Sequence, residues 1–169
     1  PLLQMEFLTK LFEQAKQKQI HTCLDTSGIL FEPEDSHRYQ QFERLMSVTD
    51  LVMLDIKHMD EAEHKKLTGH SNRNVFAFLD YLTEKQIPVW IRHVVVPGIT
   101  DQKEELEALG RCLSLHDNIE KLEILPYHAL AVPKYENLGI PYPLAGVPQL
   151  TKQEAAQAYE TVERVWKKQ

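Results

Sequence analysis

Apolar positions along this chain switch repeatedly between a helical and an extended period. Leu8, Leu11, Phe12 and Ala15 fall on one helix face, so residues 3 to 18 read as an amphipathic helix. Ile20 to Asp25 reads as a short strand, and a mostly polar helical stretch follows with Phe42, Leu45 and Met46 on its apolar side. "DLVMLDIK", residues 50 to 57, has a nearly continuous apolar centre, which suits a strand covered on both faces. A second helical face, Val75, Phe78, Leu79 and Leu82, leads to "IPVWIRHVVVPG", residues 87 to 98, a β-branched run closed by a Pro-Gly turn. Asp101 and Glu104 resemble a capping pair for a helix carrying Leu106, Leu109 and Leu113, after which "IEKLEILP", residues 119 to 126, forms a fourth strand.

Short apolar strands separated by helical crossovers predict a parallel α/β sheet, either open or curled into a barrel. Residues 126 to 150 break the alternation with Pro126, Pro133, Pro141, Pro143 and Pro148, five of the nine prolines, and read as a long irregular segment. Thr151 and Glu154 then form a T-x-x-E capping box for a last helix lined by Ala155, Ala158, Tyr159, Val162, Val165 and Trp166. No internal repeat or linker divides the 169 residues, so one domain is expected.

Composition narrows the partners. The formal charge is −6 and basic residues form no block, which argues against nucleic acid and anionic membranes. Apolar runs are strand-sized and the first residues carry no signal pattern, so a cytoplasmic location is expected. Two cysteines without C-x-x-C spacing exclude a disulfide framework and a thiolate metal site built by this chain alone.

Candidate chemistry gathers at the strand ends, because ligands of parallel α/β sheets bind beyond the carboxyl ends of the strands. The first strand ends on Asp25 and Thr26, the second on Asp55 and Lys57, the third carries Arg92 and His93, and the fourth runs into Tyr127 and His128. Two carboxylates facing Lys57 and Arg92 in a partly dry crevice would suit a zwitterion, or a cation together with an anion. Each residue also has a bland reading: Asp25 as a turn starter, Lys57 as a solvated strand end, His128 as a structural histidine. Arg92 is harder to dismiss, since its apolar neighbours leave it little route to water.

Other candidates carry less. His58, His64 and His70, with Asp60 one helical turn before His64, offer a metal-like spacing, but the segment is strongly charged and reads as a solvated face. Cys23, inside an apolar strand, and Cys112, among helix leucines, read as inert core thiols. "GHSN", residues 69 to 72, looks like a helix start rather than a phosphate cradle, and no G-x-S-x-G supports acyl transfer.

Taken together, "IHTCLDTSG", "VTDLVMLDIKHMD", "KLTGHSN", "IPVWIRHVVVPG", "EKLEILPYHAL" and "LGIPYPLAGVP" resemble the glycyl-radical-enzyme activating enzymes of the radical S-adenosylmethionine superfamily. The resemblance implies a four-stranded parallel part of a (β/α)6 partial TIM-like barrel. It also implies S-adenosylmethionine held against a [4Fe-4S] cluster, which reduces the sulfonium to release a 5′-deoxyadenosyl radical that takes hydrogen from a glycine of the partner. The partner implied is a glycyl radical enzyme, pyruvate formate-lyase by the closeness of "LGIPYPLAGVP", with an electron donor such as flavodoxin. The family's C-x-x-x-C-x-x-C loop and Gly-Gly-Glu strand have no counterpart here. Residues 1 to 4, "PLLQ", resemble the stretch after Gly-Gly-Glu, so residues 1 to 169 look like the C-terminal portion of one radical SAM domain, inactive alone. By the same resemblance Asp25, Thr26, Asp55 and the Met53 carbonyl form a monovalent-cation site beside the carboxylate of S-adenosylmethionine. Lys57 and His128 contact its methionyl and ribosyl portions, and Arg92 lines the barrel interior. Two rivals remain: a non-redox module binding S-adenosylmethionine or another nucleoside, and a non-radical enzyme using His128 as base beside Asp55.

Overall fold

The computed structural model describes residues 1–167. A short 3-10 turn, Leu2–Gln4, opens into α1 (Met5–Gln17), followed by β1 (Cys23–Thr26), α2 (Ser36–Met46), β2 (Leu51–Asp55), α3 (Glu61–Thr68) and α4 (Arg73–Glu84). Then come β3 (Val89–Val95), α5 (Lys103–Leu113), β4 (Ile119–Pro126), α6 (Val132–Asn137) and α7 (Lys152–Trp166). The four strands form one sheet in the order β1-β2-β3-β4, every neighbouring pair parallel. The expected α/β class and parallel sheet are therefore borne out.

Helices cover one side of this sheet, and strand periodicity does the rest. Leu24, Val52, Leu54, Val89, Ile91, Val95 and Leu122 turn to that side and are buried with Phe42, Leu45, Phe78, Leu79, Leu109 and Val162 in one continuous core. Cys23, Asp25, Met53, Asp55, Trp90, Arg92 and Val94 alternate onto the other side and keep partial or full exposure. The expectation of two-sided cover for the second strand is thus corrected: Met53 and Asp55 are only half-buried, because nothing lies over that face among the described residues. Cys23 is corrected for the same reason, being exposed rather than a core thiol. Cys112 is partly buried, as a helix-layer thiol should be.

Local chemistry explains several element ends. Asp35 caps α2 by accepting from His37 and Arg38 amides, and Thr151 with Glu154 completes the capping box of α7. Asp101 does not cap α5: its carboxylate accepts from the Gly98 amide and fastens the Pro-Gly turn instead. On α1 the inner edge runs through Met5, Leu8 and Phe12, whereas Leu11 joins Leu3 and Phe7 in an exposed row. The stretch from 126 to 150 is turn-rich as expected but contains α6.

The "DTSG" stop after β1 is built, not loose. Thr26 turns to the covered side and its hydroxyl accepts from the Gly28 amide at 3.1 Å. Gly28 has φ +69, and a Cβ there would lie 2.8 Å from the Phe78 ring, so backbone and space both require glycine. Among the described residues, no helix is long and apolar enough to cross a membrane.

Candidate functional site

Parallel register places Asp25 opposite Met53 and Asp55 opposite Arg92, so the charged residues of three strands meet on the open face near their carboxyl ends. Arg92 is the centre. Its Nε donates to Asp55 Oδ1 at 3.0 Å and its Nη2 donates to Asp25 Oδ1. Asp55 uses its other oxygen to accept from Lys57 Nζ at 2.9 Å. Lys57, Asp55, Arg92 and Asp25 therefore form a continuous chain of alternating charge. Burial disfavours the charge on Arg92, yet Asp55 and Asp25 outweigh it and hold the guanidinium above its ordinary pKa. The Asp55 and Arg92 side chains are 19% and 21% exposed, whereas Asp25 is 50% exposed, so water reaches the set from the β1 side.

The remaining predicted residues stand apart. His93 follows Arg92 but faces the covered side, fully buried, with Nδ1 on the Ile56 carbonyl at 2.8 Å. Burial pushes its pKa down to about 4, so the imidazole is neutral near pH 7. His128 is exposed beyond the end of β4 and forms no hydrogen bond with Asp55 among the described residues. The His128 and Asp55 pairing needed by a non-radical base mechanism is not formed here. Thr26 can offer a ligand at the cluster only from its main chain, because its hydroxyl is on the opposite side of β1.

Several polar residues without a role in the sequence reading prove important. Lys121 lies 4.3 Å from the centroid of the Trp90 ring and 2.6 Å from Glu123, extending the charged lining of the open face across β4. His58 and His64 are buried rather than solvated, a correction to the reading of their segment. Glu105 is buried too, and its sequence position signals it: it lies one and two helical turns before Leu109 and Leu113, on the apolar stripe of α5.

Iron–sulfur ligation does not fit this chain's thiols. Cys23 stands on the open face of β1 and Cys112 in the helix layer on α5, and such clusters need three or four cysteines together. No group of three or more His, Cys, Asp or Glu side chains suited to a metal occurs among the described residues. An alkali cation fits better by donor chemistry, since Asp25, Asp55 and the Met53 carbonyl are hard oxygen donors. In this structure the positive charge between the two carboxylates is that of Arg92.

An open-faced parallel sheet with charges at its strand ends is the wall of a partial barrel, and the comparisons agree. Residues 1–109 match the family model described as the radical SAM superfamily, and the chain belongs to that superfamily. It is 48% identical over 163 residues to the pyruvate formate-lyase-activating enzyme of Staphylococcus epidermidis, covering 96% of this chain and 64% of the relative. It is 50% identical over 146 residues to the enzyme of that name from Streptococcus mutans, covering 86% of this chain and 55% of the relative. The chain thus spans somewhat under two thirds of the length of these relatives. A crystal structure of a domain of pyruvate-formate lyase-activating enzyme from Bacteroides vulgatus superposes with a TM-score of 0.77 at 20% identity, covering 98% of this chain and 89% of that one. That likeness establishes the fold.

Proposed function

We propose that this chain is the barrel wall of an activating enzyme that places a glycyl radical on pyruvate formate-lyase through reductive cleavage of S-adenosylmethionine, in the cytoplasm. The observation that carries the reading is the Lys57, Asp55, Arg92 and Asp25 charge chain on the open face of a radical SAM sheet. High identity to enzymes of that name over most of this chain supports the choice of partner.

S-adenosylmethionine carries an α-amino and an α-carboxylate group, and the cluster offers both signs of charge to them. Arg92 and Lys57 attract the carboxylate; Asp25 and Asp55, with main-chain oxygens of Met53 and Thr26, hold a monovalent cation that shares it. In this reading His128, exposed beyond the end of β4, contacts the ribosyl portion. Superfamily membership implies a [4Fe-4S] cluster supplied with electrons, for example by flavodoxin, but the two thiols here do not form its ligand set. Within the reading, residues 1–169 form the C-terminal portion of the radical SAM domain: they bind and orient the cofactor.

Calorimetry with S-adenosylmethionine tests the site. Weak binding is expected, and Asp55→Ala should lower it by about tenfold or more, roughly the loss of one charge-assisted contact. Unchanged affinity in the variant would move the site elsewhere. The radical half is tested by electron paramagnetic resonance of pyruvate formate-lyase incubated anaerobically with S-adenosylmethionine, a reductant and the protein as its gene encodes it. Binding without a glycyl radical signal would select the non-redox module.

A further inference from the structure

Of the four residues in the charge chain, Lys57 is the one that a loop, rather than a strand, delivers. The loop between β2 and α3 is tied down with unusual thoroughness from three other elements. The Ile56 amide donates to the Arg92 carbonyl at 3.0 Å, and the Ile56 carbonyl accepts from His93 on β3 at 2.8 Å. Asn72, just before α4, donates through Nδ2 to the carbonyls of both His58 and Met59, at 3.1 and 2.9 Å. Glu105 on α5 accepts from the Met59 amide at 2.6 Å, and its second oxygen lies 3.2 Å from His58 Nδ1. The Asp60 amide donates to that same Nδ1 at 3.0 Å. Every residue from Ile56 to Asp60 except Lys57 is therefore fastened, and Lys57 alone sends its side chain out to Asp55.

Nδ1 of His58 accepts from the Asp60 amide, and the Glu105 oxygen that Met59 does not use lies 3.2 Å from the same nitrogen. Burial pushes the Glu105 carboxyl above its ordinary pKa. A glutamine keeps the acceptor that holds the loop, with Oε1 accepting from the Met59 amide. Asn72, His58 and Glu105 are all buried, where apolar side chains would fill the space without needing partners.

We infer that Glu105 and Asn72 are positioning residues that set the 56 to 60 loop so that Lys57 is held on Asp55 at the cofactor site. The function assigned to that site rests on the reading above; the positioning does not, and the two are tested separately. Lys57 reactivity toward an N-hydroxysuccinimide ester, read peptide by peptide by mass spectrometry, reports its release from Asp55. Glu105→Ala and Asn72→Ala should each raise the Lys57 labelling rate by about fivefold or more, on the order of one lost buried hydrogen bond. Glu105→Gln should stay near the starting rate. Leu109→Ala, a core lesion on the same helix, should destabilise the fold without changing Lys57.

Wild-type rates in both alanine variants, or an equal rise in Leu109→Ala, would overturn the inference and leave a merely structural network. If Glu105→Ala does not fold, Asn72→Ala decides alone, since it loosens the loop from the opposite side. A second measurement connects the loop to the ligand: S-adenosylmethionine affinity in Glu105→Ala, Lys57→Ala and the double variant. The Glu105 effect should vanish when Lys57 is already alanine, and full additivity would count against coupling. Should the wild-type chain bind no S-adenosylmethionine, the proposed function falls while the labelling still decides the positioning.

Discussion

Arg92 and His93 are adjacent on β3, both basic in type, and live in two different solvents. Arg92 faces the open side, where two carboxylates hold its charge. His93 faces the helices, where burial removes its charge and its Nε2 finds no hydrogen-bond partner among the described residues. The covered side is governed by volume and desolvation, and the open side by charge pairing. One residue of strand register separates them.

The sharpest way to break the covered side is Gly28→Ala. A side chain at φ +69 is strained, and its Cβ would press on the buried Phe78 ring. Strain and overpacking together should cost about 4 kcal/mol. Urea unfolding followed by circular dichroism measures it, and a loss below about 1 kcal/mol would mean that the turn can rearrange.

A pH series sharpens the contrast next. The folded pKa of His93, about 4, lies below the ordinary 6.5, so the unfolded chain takes up the proton first as pH falls. Stability from this group is complete above about pH 6.5 and is lost on descending toward about pH 4, by about 2 kcal/mol between about pH 7 and pH 5. In His93→Gln that part of the pH dependence should disappear. A variant with an unchanged pH slope would show that other groups carry it.

The smallest effect separates the two thiols. Cys112, partly buried, has its pKa pushed up to about 11 by burial, whereas exposed Cys23 is raised by partial desolvation first and the charge of Asp25 second. Iodoacetamide should alkylate Cys23 first in the native protein. Cys23→Ser should change stability by less than about 0.5 kcal/mol, against about 1 kcal/mol for Cys112→Ser. Equal alkylation rates would mean that the open face of β1 is covered in solution.

Much of this contrast was legible in sequence. "IEKLEILP" has the bounds of β4, and the Thr151 and Glu154 pair caps α7 because a capping box is local chemistry. Cys23 was misplaced because an apolar strand does not reveal how many of its sides are covered; that depends on elements distant in the chain. Asp101 was misassigned because an aspartate between a Pro-Gly turn and a helix has amides to accept from on either side. Of the site, Asp25, Asp55, Lys57 and Arg92 come together as the strand-end argument expects, since parallel register is periodic. His128 does not join them, because it lies where that periodicity ends. Glu105 and Asn72 went unseen as site supports because their partners are main-chain groups of another loop, which have no sequence signature beyond a polar residue on an apolar stripe.

Strand order has a consequence for how the chain acquires its structure. Each strand pairs with the one made just before it, so no pairing waits for a distant segment. A chain emerging from the ribosome can add one strand and one helix at a time to a finished edge, and the expected folding order follows synthesis. Among the described elements α7 is made last, and it docks on α5 so tightly that a Cβ at Gly110 would lie 2.7 Å from the Val162 carbonyl oxygen. Until α7 arrives, the surfaces of α5 and β4 that it covers stay open to chaperones and proteases.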